Sequence, residues 1–226
     1  MSTHRPSKVA YMESHAGAGK YSLNRARIEG IARDKKLVCP NEAKWGLFDI
    51  LNPRIEHGSY DGSFVLALRL LGIWKALHPE CAIQATLWEK DDDVRAGIQN
   101  QTSALLPSNL DNLCLRSECS PSEFISTAKA HMQDGWTVVW LSDPYWGNSR
   151  KLDQQWFQLL GDKCGYGVLF TFLRGDSHHR GGEIFDYVKS FQPRRLPDKR
   201  ADKGIRSYGL YFTAEAQQIL DGAENK

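Results

Sequence analysis

Several things are scarce in this 226-residue chain, and each scarcity removes a class of function. Lysine and arginine (29) nearly balance aspartate and glutamate (27), so no overall basic field points to nucleic acid and any such surface must be local. The five cysteines, Cys39, Cys81, Cys114, Cys119 and Cys164, are odd in number and form no CxxC. That scatter argues against a disulfide framework and a structural zinc site, and suits reduced thiols. No apolar run approaches the ~18 residues of a membrane span, and the first residues carry no apolar signal core. The expectation is a soluble, cytoplasmic protein with no membrane partner. Repeats and low-complexity segments are also absent.

What is present is ordinary in bulk, with 41% hydrophobic and 25% charged residues, and informative in its order. Residues 8–14 read as a buried strand that turns acidic and enters a glycine-rich corner, His15-Ala16-Gly17-Ala18-Gly19-Lys20-Tyr21. Glycines allow close backbone approach and dihedrals that other residues avoid. Phe64, Val65, Leu68, Leu71 and Trp74 recur at helical spacing behind Ser63, and that helix is expected to end near His78-Pro79. A strand from Cys81 to Trp88 ends in Glu89, where a nucleoside-binding fold holds ribose hydroxyls. Asp91 to Asp93 would cap the next helix. Residues 113–116 make a short strand, and Ser120-Pro121-Ser122-Glu123 is a helix-start signal for a helix running through Met132.

Trp136 to Leu141 is the clearest buried strand and ends in Ser142-Asp143-Pro144-Tyr145-Trp146. A helix over 151–160, an apolar strand over 166–173, a helix over 183–191 and a late edge strand over 207–213 complete the alternation, followed by a short helix over 214–221. The proline-broken basic segment 193–203 reads as a mobile loop. The alternation predicts one α/β domain over residues 1–222 with a mainly parallel sheet and a late antiparallel edge strand. Residues 24–61 would be an irregular or helical inserted subdomain, and 223–226 a disordered tail.

The glycine corner, Glu89 and Asp143-Pro144-Tyr145-Trp146 all fall at C-terminal ends of expected parallel strands, hence on one edge of the sheet. An Asp-Pro-aromatic turn there suits transfer to an exocyclic adenine amine. A carboxylate accepts the amine's hydrogens, proline stiffens the turn and an aromatic stacks on the base. Read alone, the tetrad fits a plain turn at least as well. Basic residues cluster beside the corner (Lys20, Arg25, Arg27) and late in the chain (Arg194, Arg195, Lys199, Arg200, Lys203). They could meet phosphates or simply solvate a loop. His178-His179 lacks further ligands at metal spacing, so no metal is expected.

The ordered set HAGAGKY (His15 to Tyr21), EGIA (Glu29 to Ala32) and YDGS (Tyr60 to Ser63), then Glu89 and SDPYW (Ser142 to Trp146), resembles bacterial large-subunit ribosomal RNA adenine-N6 methyltransferases of the RlmJ type. A similar order occurs in the three-Cys-motif partner (TcmP) proteins. The resemblance covers roughly residues 8–213. It implies a class I methyltransferase Rossmann-like sandwich, S-adenosylmethionine as cofactor and a nucleic-acid substrate, RNA before DNA. It also implies cofactor contacts from His15, Ala16, Gly17, Gly19, Ser63, Glu89, Glu118, Cys119 and Asp143, with Asp143 catalytic beside Pro144, Tyr145 and Trp146. Three departures stand out. The motif that precedes the first strand in the family has no counterpart before residue 8, DPPY becomes Asp143-Pro144-Tyr145-Trp146, and PGSP becomes Asp61-Gly62-Ser63-Phe64. These leave open a catalytically lapsed module that binds nucleic acid or a protein partner.

Overall fold

A computed structural model describes residues 6–22, 58–105, 110–117, 120–142, 165–174, 194–195, 206–212 and 216. Its centre is β1, Lys8–Glu13, which runs parallel to a strand on each side: Val9 lies level with Ile83 on one flank and Thr137 on the other. From Val9 to Glu13 every residue is buried, which is why this segment is a continuous run rather than an alternating one.

A short ribbon follows, β2 (Lys20–Ser22) antiparallel to β3 (Ser59–Asp61), with Tyr21 opposite Tyr60. Helix α1 spans Ser63–Leu77 and leads to β4, Ala82–Trp88. Helix α2 (Asp92–Leu105), β5 (Asn112–Arg116) and α3 (Pro121–Gln133) continue the alternation. Then come β6 (Thr137–Ser142), β7 (Gly167–Arg174), β8 (Arg194–Arg195) and β9 (Arg206–Phe212). β1, α1, β4, β5, α3, β6, β7 and β9 match the sequence expectations to within a residue or two, whereas β2, β3 and β8 were not expected as strands.

Seven strands form one sheet in the order β5-β4-β1-β6-β7-β9-β8. Strands β5, β4, β1, β6 and β7 are parallel, and β9 is antiparallel to β7. Counting only strands of this sheet, the order is third, second, first, fourth, fifth, seventh, sixth. The chain therefore winds outward from β1 in one direction and then restarts at β6 in the other. That reversal opens a crevice between the C-terminal ends of β1 and β6, the place where open α/β sheets bind ligands. This is the Rossmann-like class I methyltransferase arrangement that the motif order implied.

Two expectations need correcting. The late antiparallel strand is not the edge, because β8 pairs along its other flank. And the stretch expected to be a mobile loop contributes Arg194 and Arg195 to that outermost strand, where they pair in the ladder opposite Leu210 and Gly209. Of the expected insertion 24–61, residues 58–61 are described, and 59–61 pair back onto β2 as β3. Residues 23–57, the expected helices over 151–160 and 183–191, and the tail lie outside the described residues, as does the segment 214–221 apart from Ala216.

The core on the α1 side of the sheet joins Phe64, Val65 and Leu68 to Tyr11, Ala16, Ala85, Leu87, Ile98 and Leu141. Truncating a fully buried residue such as Leu68 to alanine would cost about 2–5 kcal/mol. On the other side Trp88 packs against Phe124 of α3, with ring centroids 5.0 Å apart. Ser120 caps α3 as expected, its Oγ accepting the Glu123 N–H at 3.1 Å with Pro121 in the first turn. Cys81 is buried and Cys114 half-buried, both as thiols. Among the described residues no helix is long and apolar enough to cross a membrane.

Candidate functional site

The site is built where β1 leaves the sheet. Ser14 is buried, and its Oγ lies 2.8 Å from Nδ1 of the exposed His15. The chain then turns inward. Ala16 is buried and donates its N–H to Trp88 O at 3.0 Å, which fastens the corner to the end of β4.

Gly17 and Gly19 take φ of +64° and +70°, in the left-handed region where a side chain is strained. A Cβ on Gly17 would lie 2.2 Å from the Tyr21 hydroxyl, and one on Gly19 2.3 Å from the Phe64 ring. So the space beside both glycines is filled by the protein itself. The Gly62 N–H donates to Gly19 O at 2.7 Å, joining the corner to the start of α1. Gln101 of α2 donates to Ala18 O at 2.9 Å.

Glu89 closes the far side. One carboxylate oxygen accepts the Gly17 N–H at 3.0 Å and the other the Asp91 N–H at 3.0 Å. Each oxygen has a second lone-pair site, so the carboxylate can still accept a pair of vicinal hydroxyls. Asp91 caps α2 as the sequence suggested, its Oδ1 accepting from Asp93 N at 3.0 Å and Val94 N at 3.1 Å.

Two residues that sequence reasoning passed over hold the site from below. Glu13, the last residue of β1, is 1% exposed. It accepts the Tyr11 hydroxyl at 2.6 Å on one oxygen and the Ser63 hydroxyl on the other. Burial, then the Glu13 charge and the hydrogen bond to it, push the Tyr11 phenol well above its usual range, so it stays a donor. A glutamate closing an otherwise apolar buried strand was the available signal, with Tyr11 two residues earlier on the same face. Asp61, also buried, pairs with Arg69 of α1 at 2.8 Å and ties the ribbon to the helix.

The structure thus brings together His15, Ala16, Gly17, Gly19, Ser63 and Glu89 at one corner. Lys20 lies exposed in the ribbon beside them. Arg194 and Arg195 sit apart, in β8 at the sheet edge. Glu118, Cys119, Asp143, Pro144, Tyr145, Trp146, Arg25, Arg27, Lys199, Arg200 and Lys203 lie outside the described residues, as do His178 and His179. Asp143 follows directly on Ser142, the last residue of β6 and so the far lip of the crevice.

No protein-family model matches the chain, and no curated protein does either. Among solved structures it is similar to protein LPL1258 of Legionella pneumophila, a DUF519-family protein. That superposition has a TM-score of 0.59 at 12% identity, covering 98% of this chain and 85% of the other. At that identity the likeness is one of fold. Two looser superpositions involve methyltransferase candidates. YhhF of Escherichia coli gives a TM-score of 0.41 at 15% identity, over 91% of this chain and 77% of that one. A class I S-adenosylmethionine-dependent candidate of Listeria monocytogenes gives 0.42 at 8% identity, over 92% and 54%. Neither carries a conclusion about chemistry.

Proposed function

We propose that the chain is an S-adenosylmethionine-dependent methyltransferase that acts on adenine N6 of a nucleic acid, RNA in preference to DNA. The observation that carries this reading is the bond from Gly17 N–H to Glu89. It assembles a corner with hydroxyl acceptors on one side and the start of α1 on the other, next to the crevice at the ends of β1 and β6.

The donor set fits the cofactor. Glu89 would hold the ribose hydroxyls, while the glycine corner, His15 and Ser63 line the path of the amino-acid tail. When bound, S-adenosylmethionine supplies an activated methyl group on its sulfonium. The protein's part is positioning. Asp143, one residue beyond β6, would accept a hydrogen from the adenine amine and favour the geometry in which its nitrogen is nucleophilic. Pro144 would stiffen that turn, and Tyr145 or Trp146 would stack on the extruded base.

The backbone register supports a nucleic-acid substrate. Ser142 lies level with Thr171, Thr171 with Gly209, and Gly209 with Arg195. One row of the sheet therefore runs from the lip of the crevice to the basic pair. Three strand spacings make that path about 14 Å long, or two to three nucleotides of extended backbone.

Calorimetry with S-adenosylhomocysteine tests the cofactor site, and no binding at millimolar ligand would sink it. Methyl transfer to single-stranded RNA and DNA, read as N6-methyladenosine after digestion to nucleosides, tests the reaction. Asp143→Ala should abolish transfer and leave cofactor binding intact. If wild-type protein binds cofactor and nucleic acid and transfers nothing, the chain is the lapsed binding module that its altered DPYW leaves open.

A further inference from the structure

The two outer strands of the seven-stranded sheet are defended differently. An open edge presents a row of unpaired N–H and C=O groups, and proteins blunt it with short strands, charge or proline. On one side β8 is two residues long, and both are arginine. On the other, β5 runs Asn112-Leu113-Cys114-Leu115-Arg116, without proline and with its one charge at the end. Among the described residues nothing pairs with its outer side.

The register shows which groups that side offers. Arg116 O accepts the Glu89 N–H at 3.1 Å, so the main-chain groups of Arg116 point towards β4, as do those of Cys114 and Asn112, which alternate with it. The N–H and C=O groups of Leu113 and Leu115 therefore point away from the sheet. Their side chains are not on offer, because both pack against the core on the α1 side. Asn112, Cys114 and Arg116 share the opposite face.

The geometry points to β5 as a self-pairing surface: two copies of this chain join their β5 strands antiparallel about a two-fold axis at Cys114. A contact of this kind needs a surface complementary to itself. Only this register sets Leu113 of each copy opposite Leu115 of the other, so that both pairs exchange both of their N–H···O bonds. Centring the strands on Leu113 or on Leu115 would match one of these residues with itself and carry the other past the end of the strand. Charge favours the same register. Arg116 falls opposite the exposed, uncharged Asn112 of the second copy, whose amide oxygen can accept from the guanidinium, and no like charges meet. Antiparallel pairing also puts the two crevices on opposite edges of the joint sheet, so neither obstructs the other.

Sedimentation velocity over a concentration series, with reductant present, is expected to show a reversible monomer–dimer equilibrium. Opposite residues that exchange no hydrogen bonds lie about 4.5 Å apart at Cα, within the range a disulfide spans. Mild oxidation of the dimer should therefore yield a peptide linked Cys114 to Cys114 on mass spectrometry, absent from Cys114→Ser. Asn112→Arg sets like charges opposite each other at both ends and should weaken the dimer about fivefold, whereas Asn112→Asp should strengthen it by about as much. Asn112 is exposed, so both variants keep the fold. Leu115→Pro deletes an outward N–H, leaves the ladder to β4 in place and should give monomer.

A wild-type chain that stays monomeric throughout the series overturns the proposal. So does a dimer that gives no Cys114 cross-link, or one that neither Asn112 variant shifts.

Discussion

Arg195 lies on the same row of the sheet as Ser142, two strands intervening, although 53 positions separate them in the chain. A basic pair that looks like part of a loop is thereby fixed on a strand at a set distance from the crevice. Replacing Arg194 and Arg195 by alanine should weaken binding of single-stranded RNA and leave S-adenosylhomocysteine affinity unchanged. For every phosphate that an arginine no longer neutralises, the slope of log affinity against log salt should become shallower by roughly 0.7. Fluorescence anisotropy across a salt series reads that slope directly. An unchanged slope would remove these arginines from the substrate path.

Glu89 is asked to do two things at once, to hold the corner and to face a ligand. Glu89→Ala leaves the N–H groups of Gly17 and Asp91 without their acceptor, so exchange of the Gly17 amide with solvent should speed up. Affinity for S-adenosylhomocysteine should fall at least tenfold, since hydrogen bonds to a carboxylate are worth about 1.5–3 kcal/mol each. A variant that binds as tightly as wild type would place the ribose elsewhere.

Gly19→Ala tests the corner itself. The new methyl group would sit at a φ of +70° and 2.3 Å from the buried Phe64 ring. Strain and overpacking of this kind cost roughly 2–4 kcal/mol together. Adding Phe64→Leu should recover only the packing part. Chemical denaturation of the single and double variants gives both values, and full recovery in the double variant would mean that the backbone carries no strain.

At the opposite end of the sheet His131 offers a pH dependence. Burial, then the Arg116 charge, lower its pKa below the usual imidazole value, with Asp134 opposing. The ring accepts the Gln84 amide at 3.0 Å, which suits the neutral form. Because the folded pKa lies below the unfolded one, the unfolded chain binds the proton first. Stability should therefore be full above about pH 6.5 and decline as pH falls below it, towards the folded pKa. His131→Asn should flatten the denaturation midpoint across that window. A midpoint already flat in wild type would show that the ring titrates normally.

Much of the frame was legible because it depends on periodicity. The short apolar runs of β1 and β6, and the mostly apolar β4 with its β-branched and aromatic residues, read as buried parallel strands, and Ser120-Pro121-Ser122-Glu123 states its own helix start. The glycine corner and Glu89 were legible for a related reason, since both mark the end of such a run. Glu13 was not read as part of the site, because its meaning depends on Ser63, which stands 50 residues away and reaches it only once α1 is docked. Gly17 and Gly19 were read for their freedom, and their close packing against Tyr21 and Phe64 is a tertiary fact. The place of Arg194 and Arg195 could not be read either. Two residues are too short for a period, and only pairing with β9 makes them a strand.

The ribbon has a consequence for engineering. Ser22 and Ser59 face each other as the last pair of β2 and β3, so the two ends that flank residues 23–58 are held at the spacing of neighbouring strands. Whatever occupies residues 23–58 has one boundary condition to meet, the spacing of two neighbouring strands. A two-residue Asn-Gly turn meets it as well as a whole foreign module does. A loop library or a different recognition element grafted between Ser22 and Ser59 would have that one distance to span, about 5 Å.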